Sequence, residues 1–131
     1  MAMSLNTALR GTRAQAIITD AGSGSIIRFY TTPRPATGAA ITTQTLLATV
    51  TFAGALGTQS NGVITLNDPA PVNPVANGIT TWARHLRSDG ATFIGDFDVG
   101  TVGSDINIGS TTLSTAIPLD LSGGTITELN A

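Results

Sequence analysis

The chain has no cysteine and no lysine among its 131 residues. Without cysteine there is no disulfide framework, no thiolate metal site and no cysteine nucleophile. Glu128 is its only glutamate, and charged residues make up 11% of the whole, against about 25% in soluble domains. Lysine and glutamate are good helix formers, so their scarcity argues against a helical bundle. A net charge of −2 excludes a protein that depends on a broad cationic face for nucleic acid. No apolar run approaches the ~20 residues that span a bilayer, and the longest candidate, Leu46 to Ala55, is broken by threonines. The opening stretch, Met1 to Leu5, has no basic segment ahead of an apolar one. It therefore predicts no signal peptide and a soluble protein made in the cytoplasm.

What is present instead is threonine, 22 of them, with 15 glycines and 6 prolines. That is the composition of short strands joined by turns. The length suits one domain, which can bury roughly two-thirds of its unfolded surface. The first part, residues 1–22, reads as a helix or arm, and residues 23–131 as the β body. Thr7 to Asp20 predicts a helix capped by Asn6 or Ser4 and stopped at Gly22. Ile17 and Ile18 point roughly 100° apart on such a helix, so Ala16 to Thr19 reads equally as a first strand.

From Ser25 the pattern is β. Ser25 to Thr31 is rich in β-branched and aromatic residues. In Gln44 to Ala53, Leu46, Ala48, Val50 and Phe52 alternate with Thr45, Thr49 and Thr51, the period a one-sided sheet requires. Leu47 breaks the polar side and marks a second contact surface. Gly62 to Asn67, Ile79 to Leu86, Ala91 to Phe97, Asp105 to Ile108, Ile117 to Leu121 and Thr125 to Leu129 follow as strands. Arg87 to Gly90 predicts a hairpin turn between two of them, and Ser122 to Gly124 a second. Pro118 moves its segment to a sheet edge or a strand start. About seven or eight short strands at near-regular spacing predict an all-β domain, an antiparallel sandwich or jelly-roll-like fold with a short N-terminal helix or arm.

Few residues suggest chemistry. His85, the only histidine, stands between Arg84 and Arg87. It reads as a surface or interface histidine kept neutral by those arginines, and no Gly-x-Ser-x-Gly elbow accompanies Ser88 and Asp89. Asp96 and Asp98, with Asp89 and Asp105 near in sequence, offer oxygen ligands for calcium, although turn chemistry accounts for aspartates equally well. Gly22 to Ser25 lacks the lysine of a phosphate loop and reads as a connector. Trp82 and Arg84 share one sheet face, where the indole packs in the core or stacks on the guanidinium. Arginine suits protein interfaces better than lysine does. The N-terminal segment and two proline-rich loops, Thr32 to Ile41 and Asn67 to Gly78, are therefore candidate contact arms. Their candidate interface residues are Arg10, Arg13, Arg34, Pro35, Pro71 and Pro74.

Arg28-Phe29-Tyr30-Thr31 followed by Pro35, then Thr45-Leu46-Leu47-Ala48-Thr49 and Gly62-Val63, form an ordered series. Trp82-Ala83-Arg84, Ser88-Asp89-Gly90 and Asp105-Ile106 continue it. Together they resemble a recurrent run in small structural proteins of tailed bacteriophages and prophages, over about residues 13–128. The resemblance implies a virion component such as a capsid cement or decoration protein, with no catalytic residues to carry over. Its expected partners are the major capsid protein or other virion subunits and further copies of itself, as a dimer or trimer. No nucleic acid, membrane, small-molecule substrate or cofactor is expected. A tail or neck subunit of the same virion, or a carbohydrate-binding module of a spike, are the alternative readings.

Overall fold

The computed structural model describes residues 5–121 and 123–127. Helix α1 spans Thr7–Ala21. Asn6 caps it from an extended backbone, its side-chain oxygen accepting the Leu9 N–H at 2.9 Å. Gly22, at φ 65, ends the helix and donates its N–H to the Ile18 carbonyl. Helix therefore replaces the strand reading of Ala16 to Thr19, while Ser4, the other expected cap, lies outside the described residues. Gly11, Ala14, Ile18 and Ala21 form the buried stripe, spaced three or four apart as one helix face requires. Asn6→Ala removes the cap and lowers stability by about 1 kcal/mol, read as a shifted urea midpoint with an unchanged slope.

The strands are β1 (Ile26–Tyr30), β2 (Leu46–Thr51), β3 (Gly57–Ser60), β4 (Val63–Leu66), β5 (Gly78–Ile79), β6 (Trp82–Leu86), β7 (Phe93–Gly100), β8 (Ile106–Asn107), β9 (Thr112–Leu113) and β10 (Thr125–Thr127). Eight of them make one curled sheet in the order β2-β1-β6-β7-β8-β10-β4-β3, and β5 pairs with β9 in a second, two-stranded sheet. Among the described residues the protein is thus mostly β with one helix. The sheet is mixed rather than wholly antiparallel: β7 lies antiparallel to β6 along most of its length, but its last residues, Val99 and Gly100, run parallel to β8.

Several expected elements differ. Gly57 to Ser60 adds an unforeseen strand, joined to β4 through Asn61 (φ 54) and Gly62 (φ 86). Asn-Gly with both residues at positive φ is the two-residue hairpin turn whose twist matches that of the flanking strands. Ile79 to Leu86 is not one strand. The Thr80 hydroxyl lies 3.2 Å from the Tyr30 carbonyl, and its N–H donates to the Thr111 carbonyl at 2.9 Å. Gly78–Ile79 therefore joins β9, and Trp82–Leu86 joins β1. Ile117 to Leu121 is not a strand either. Pro118 has no N–H to give, and Leu119 forms a single bridge with Val72. Ser122, in the second expected hairpin turn, and residues 128–129 of its expected strand lie outside the described residues; the described part, Thr125–Thr127, pairs with β4 and β8.

One core joins the whole. Ile27 and Phe29 of β1 meet Ala48, Val50 and Phe52 from β2 and its end. Ile64, Leu66, Ile106 and Ile126 close from the other half of the sheet, and Ala14, Ile18 and Ala21 from α1. Helix α1, Thr7–Ala21, thus packs into the same core, and residues 1–4 lie outside the described residues. The expected alternation holds for Ala48, Val50 and Phe52, but a bulge between Phe29 and Tyr30 puts Leu46 opposite Tyr30 and leaves it half-buried. Leu47 is fully buried on the opposite face. Its carbonyl accepts the Val75 N–H at 2.7 Å, and its side chain lies against Gly78. The second contact surface is thus met from within the chain.

Candidate interaction site

The outer face of β1, β6 and β7 carries the most polar chemistry of the molecule. Trp82 and Tyr30 are cross-strand partners whose rings stack at 4.8 Å and 15°. The Trp82 indole N–H donates to the Thr31 carbonyl at 2.8 Å. Next along β6, Arg84 faces Asp96 across the strand pair. Its guanidinium forks onto the carboxylate, Nε to Oδ1 at 2.7 Å and Nη2 to Oδ2 at 3.0 Å. It also stands 5.5 Å from the centre of the Trp82 ring and 5.4 Å from that of Phe93. The Asp96 hydrogen bonds raise the Arg84 pKa further above its ordinary value, against the opposing effect of burial. Both readings of Trp82 are therefore realised: it is fully buried and stacks beneath a cation.

The first proline loop covers this face. The Gly38 N–H donates to Asp96 Oδ2 at 3.0 Å, and Gly38 approaches the Phe93 ring. Gln44 fastens the loop base: its side-chain amide donates to the Pro33 carbonyl at 2.5 Å and accepts the Thr42 N–H at 3.0 Å. Arg34 pairs with Asp98 at 3.2 Å, both substantially exposed. The loop expected to reach outward as an arm is a strap, because a buried carboxylate offers its backbone an acceptor.

The other candidate interface residues scatter. Arg13 is exposed on α1, and Arg10 is half-buried there against the Gly62 turn. Pro35 is half-buried in the strap, Pro71 is exposed, and Pro74 is buried. Six positions chosen for residue type do not form one surface, because type does not fix the facing of a loop residue.

The aspartates do not converge on a cation site. Asp96 serves Arg84 and Gly38, Asp98 serves Arg34, and Asp105 Oδ2 accepts the Asp98 N–H at 2.9 Å. Asp89 accepts the Thr92 hydroxyl and the N–H groups of Thr92 and Ala91, which lowers its pKa to about 2. This is turn chemistry. Among the described residues no three metal-ligating side chains of the His, Cys, Asp and Glu types gather. Gly22 to Ser25 connects α1 to β1, Gly24 donating its N–H to the Gly54 carbonyl.

His85 lies inside rather than on the surface. Its side chain is fully buried, and neither ring nitrogen has a hydrogen-bond partner. Burial lowers its pKa to about 4, with Asp20 pulling the other way. Neutrality thus has a different origin from the one expected: Arg84 projects from the opposite face of β6, and Arg87 is held by Asp20. Ser88 and Asp89 sit in the exposed turn, so they share no solvent-facing site with His85.

A different region presents apolar surface. Val75, Ile79 and Ile117 are 69%, 59% and 67% exposed, and all flank the β5–β9 sheet. Ile79 belongs to β5, Asn77 accepts the Thr115 N–H at 2.8 Å, and Ile117 bridges Ser114 beside β9. A shallow groove of about 260 Å³ runs along Thr112, Leu113, Ile117 and Leu119. Within residues 67–81 and 109–121 the only charged side chains are Asp68 and Asp120. No pattern in the sequence singles these aliphatics out, since their exposure follows from the break at Thr80 and the lost strand at Pro118. A larger open groove, about 910 Å³, follows α1 past Ala8, Gly11, Gln15 and Gln59 to Arg87. No helix among the described residues is long and apolar enough to cross a membrane.

No family model matches the chain, and no curated protein or solved structure matches it.

Proposed function

We propose that this chain is a structural subunit of a tailed-bacteriophage virion, a capsid cement or decoration protein that binds the major capsid protein through protein–protein contacts. The observation that carries the reading is the charge-poor lobe around β5 and β9, where Val75, Ile79 and Ile117 stand in water. Apolar side chains grouped in this way mark contact surfaces. A lobe nearly free of charge meets a protein surface without the desolvation cost of burying ions. The ordered likeness of residues 13–128 to small virion proteins supports the same reading. The curled eight-stranded sheet, which joins β2 to β3 through β1, β6, β7, β8, β10 and β4, supports a sandwich-like reading of the body. Self-association as a dimer or trimer belongs to the proposal, because weak contacts repeated on a lattice add through effective concentration. A sugar-binding role is less well supported, since the Trp82 and Tyr30 rings are buried.

Particles assembled without this chain, then mixed with purified protein and sedimented, test the reading. Ile79→Asp combined with Ile117→Asp lowers occupancy at least tenfold while the melting temperature stays within a few degrees of wild type. Occupancy equal to wild type removes the lobe from the contact. Failure of the wild-type chain to bind heads, with binding to isolated tails, moves the subunit to the tail or neck.

A further inference from the structure

We propose that the outer edge of β2 is a pairing surface for a second copy of this chain, and that residues 67–75 are built to guard it. The inference concerns the fold alone and holds whether or not the chain belongs to a virion. Strand β2 ends the eight-stranded sheet and has one neighbour, β1. Phe52, just past its end, donates its N–H to Ser25 on the β1 side, whereas the Leu47 carbonyl faces the other way and accepts from Val75. Backbone groups alternate in direction along an antiparallel strand, so those of Thr49 and Thr51 face away from β1, as those of Leu47 do. No hydrogen bond between described residues reaches them.

Such an edge is a template for another strand, and charge is a common deterrent. Here there is none: no charged residue occurs anywhere from Pro35 to Asn67. This neutrality also selects the partner. Pairing about a two-fold axis sets a surface against itself, which a charged edge resists and a neutral one permits. An axis at Val50 places Thr49 opposite Thr51 of the second copy, and each such pair exchanges both its N–H···O bonds. Threonines facing one another across strands strengthen the pairing.

The chain supplies its own deterrent. Asn67 donates its N–H to the Leu56 carbonyl at 2.9 Å and its side-chain amide to the Ala55 carbonyl at 3.0 Å. At the other end of the loop, Val75 reaches the Leu47 carbonyl at 2.7 Å. Residues 67–75 thus run antiparallel to β2, from beyond one end of the strand to the other. Pro69 and Pro74 are buried, which keeps the loop close, and Val72 is tied to Leu119 by N–H to carbonyl bonds in both directions. Pro69, Pro71 and Pro74 have no N–H to give. The loop therefore covers the edge without becoming a strand that offers a fresh one.

Loosening the guard tests the proposal. Asn67→Ala combined with Val75→Pro removes anchors at both ends, and proteinase K then cuts within residues 67–75. Sedimentation velocity of this full-length variant gives at least twice the wild-type mass, rising with concentration. Adding Thr51→Lys, which sets a charge at an exposed position on the edge, restores the wild-type mass. Adding Thr58→Lys, an exposed position of β3 at the opposite end of the sheet, does not. An opened variant with the wild-type mass, or equal rescue by Thr58→Lys, overturns the proposal. Should the variant not fold, or its guard stay shut to the protease, refolding of the otherwise wild-type chain decides. There β2 is bare until residues 67–75 arrive, so the refolded yield falls as protein concentration rises. Thr51→Lys raises that yield at least threefold with an unchanged urea midpoint. A yield that ignores concentration, or one that Thr58→Lys raises equally, overturns the pairing.

Discussion

Asp96→Ala destabilises the protein by about 3–5 kcal/mol, the range for leaving one partner of a buried ion pair alone. The Asp96 side chain is 1% exposed and that of Arg84 11%. Removing the carboxylate leaves the guanidinium between two aromatic rings, with neither its Nε nor its Nη2 donor satisfied by that partner. The Gly38 N–H loses its acceptor in the same step, so the strap loosens. Limited proteolysis therefore cuts between Thr32 and Ile41 sooner in the variant. The double replacement Arg84→Met with Asp96→Leu is far milder, since apolar residues of similar volume commonly replace a buried pair at little loss. Urea unfolding of the two single variants and the double gives the coupling directly. Additive losses would show that the pair is solvated. The exposed Arg34–Asp98 pair sets the contrast: breaking it costs about 1 kcal/mol or less, because water screens it.

Phe52→Ala costs about 3–5 kcal/mol, the sum of lost transfer energy and an unfilled cavity. Phe52 is 1% exposed and sits just past the end of β2. Its N–H is fixed to the Ser25 carbonyl at 3.0 Å, so the backbone has little freedom to collapse into the space. Its neighbour Thr51 is exposed, and Thr51→Ala changes stability by about 0.5 kcal/mol or less. Chemical denaturation of both variants reads the face assignment, and similar midpoints would reverse it.

Both large effects follow from alternation, the part of this fold that local sequence carries. In β2 a period of two is enough to separate Val50 and Phe52 from Thr51. The same rule puts Trp82 beside Arg84 and turns His85 away from both. The Arg87 to Gly90 turn and the α1 boundaries at Asn6 and Gly22 were legible for a related reason: caps and turns are satisfied by atoms a few residues away. The β3–β4 hairpin was written in Asn61-Gly62 as well, in a segment too poor in apolar residues to read as a strand.

The candidate contact residues were less legible. Arg34 and Pro35 read as an arm because a proline-rich loop carries no sign of what lies under it. The loop closes on Asp96, about sixty residues away, and a single sequence holds no record of that meeting. Ile79 and Ile117 were hidden for the opposite reason: aliphatic residues in strand-like segments read as core.

Composition, cap and turn residues and the two-residue period decided by themselves that this is a mostly β chain, where an N-terminal helix would start and stop, and which side chains of a strand share a face. Each of those depends on groups close along the backbone. The parallel meeting of β7 with β8, the strap over Arg84 and Asp96, the enclosure of His85 in the core and the bare aliphatics around β5 and β9 were settled by tertiary structure alone. Each depends on which distant segment arrives to satisfy a backbone group or cover a face, and the free energy of that arrival belongs to the pair of segments, not to either one.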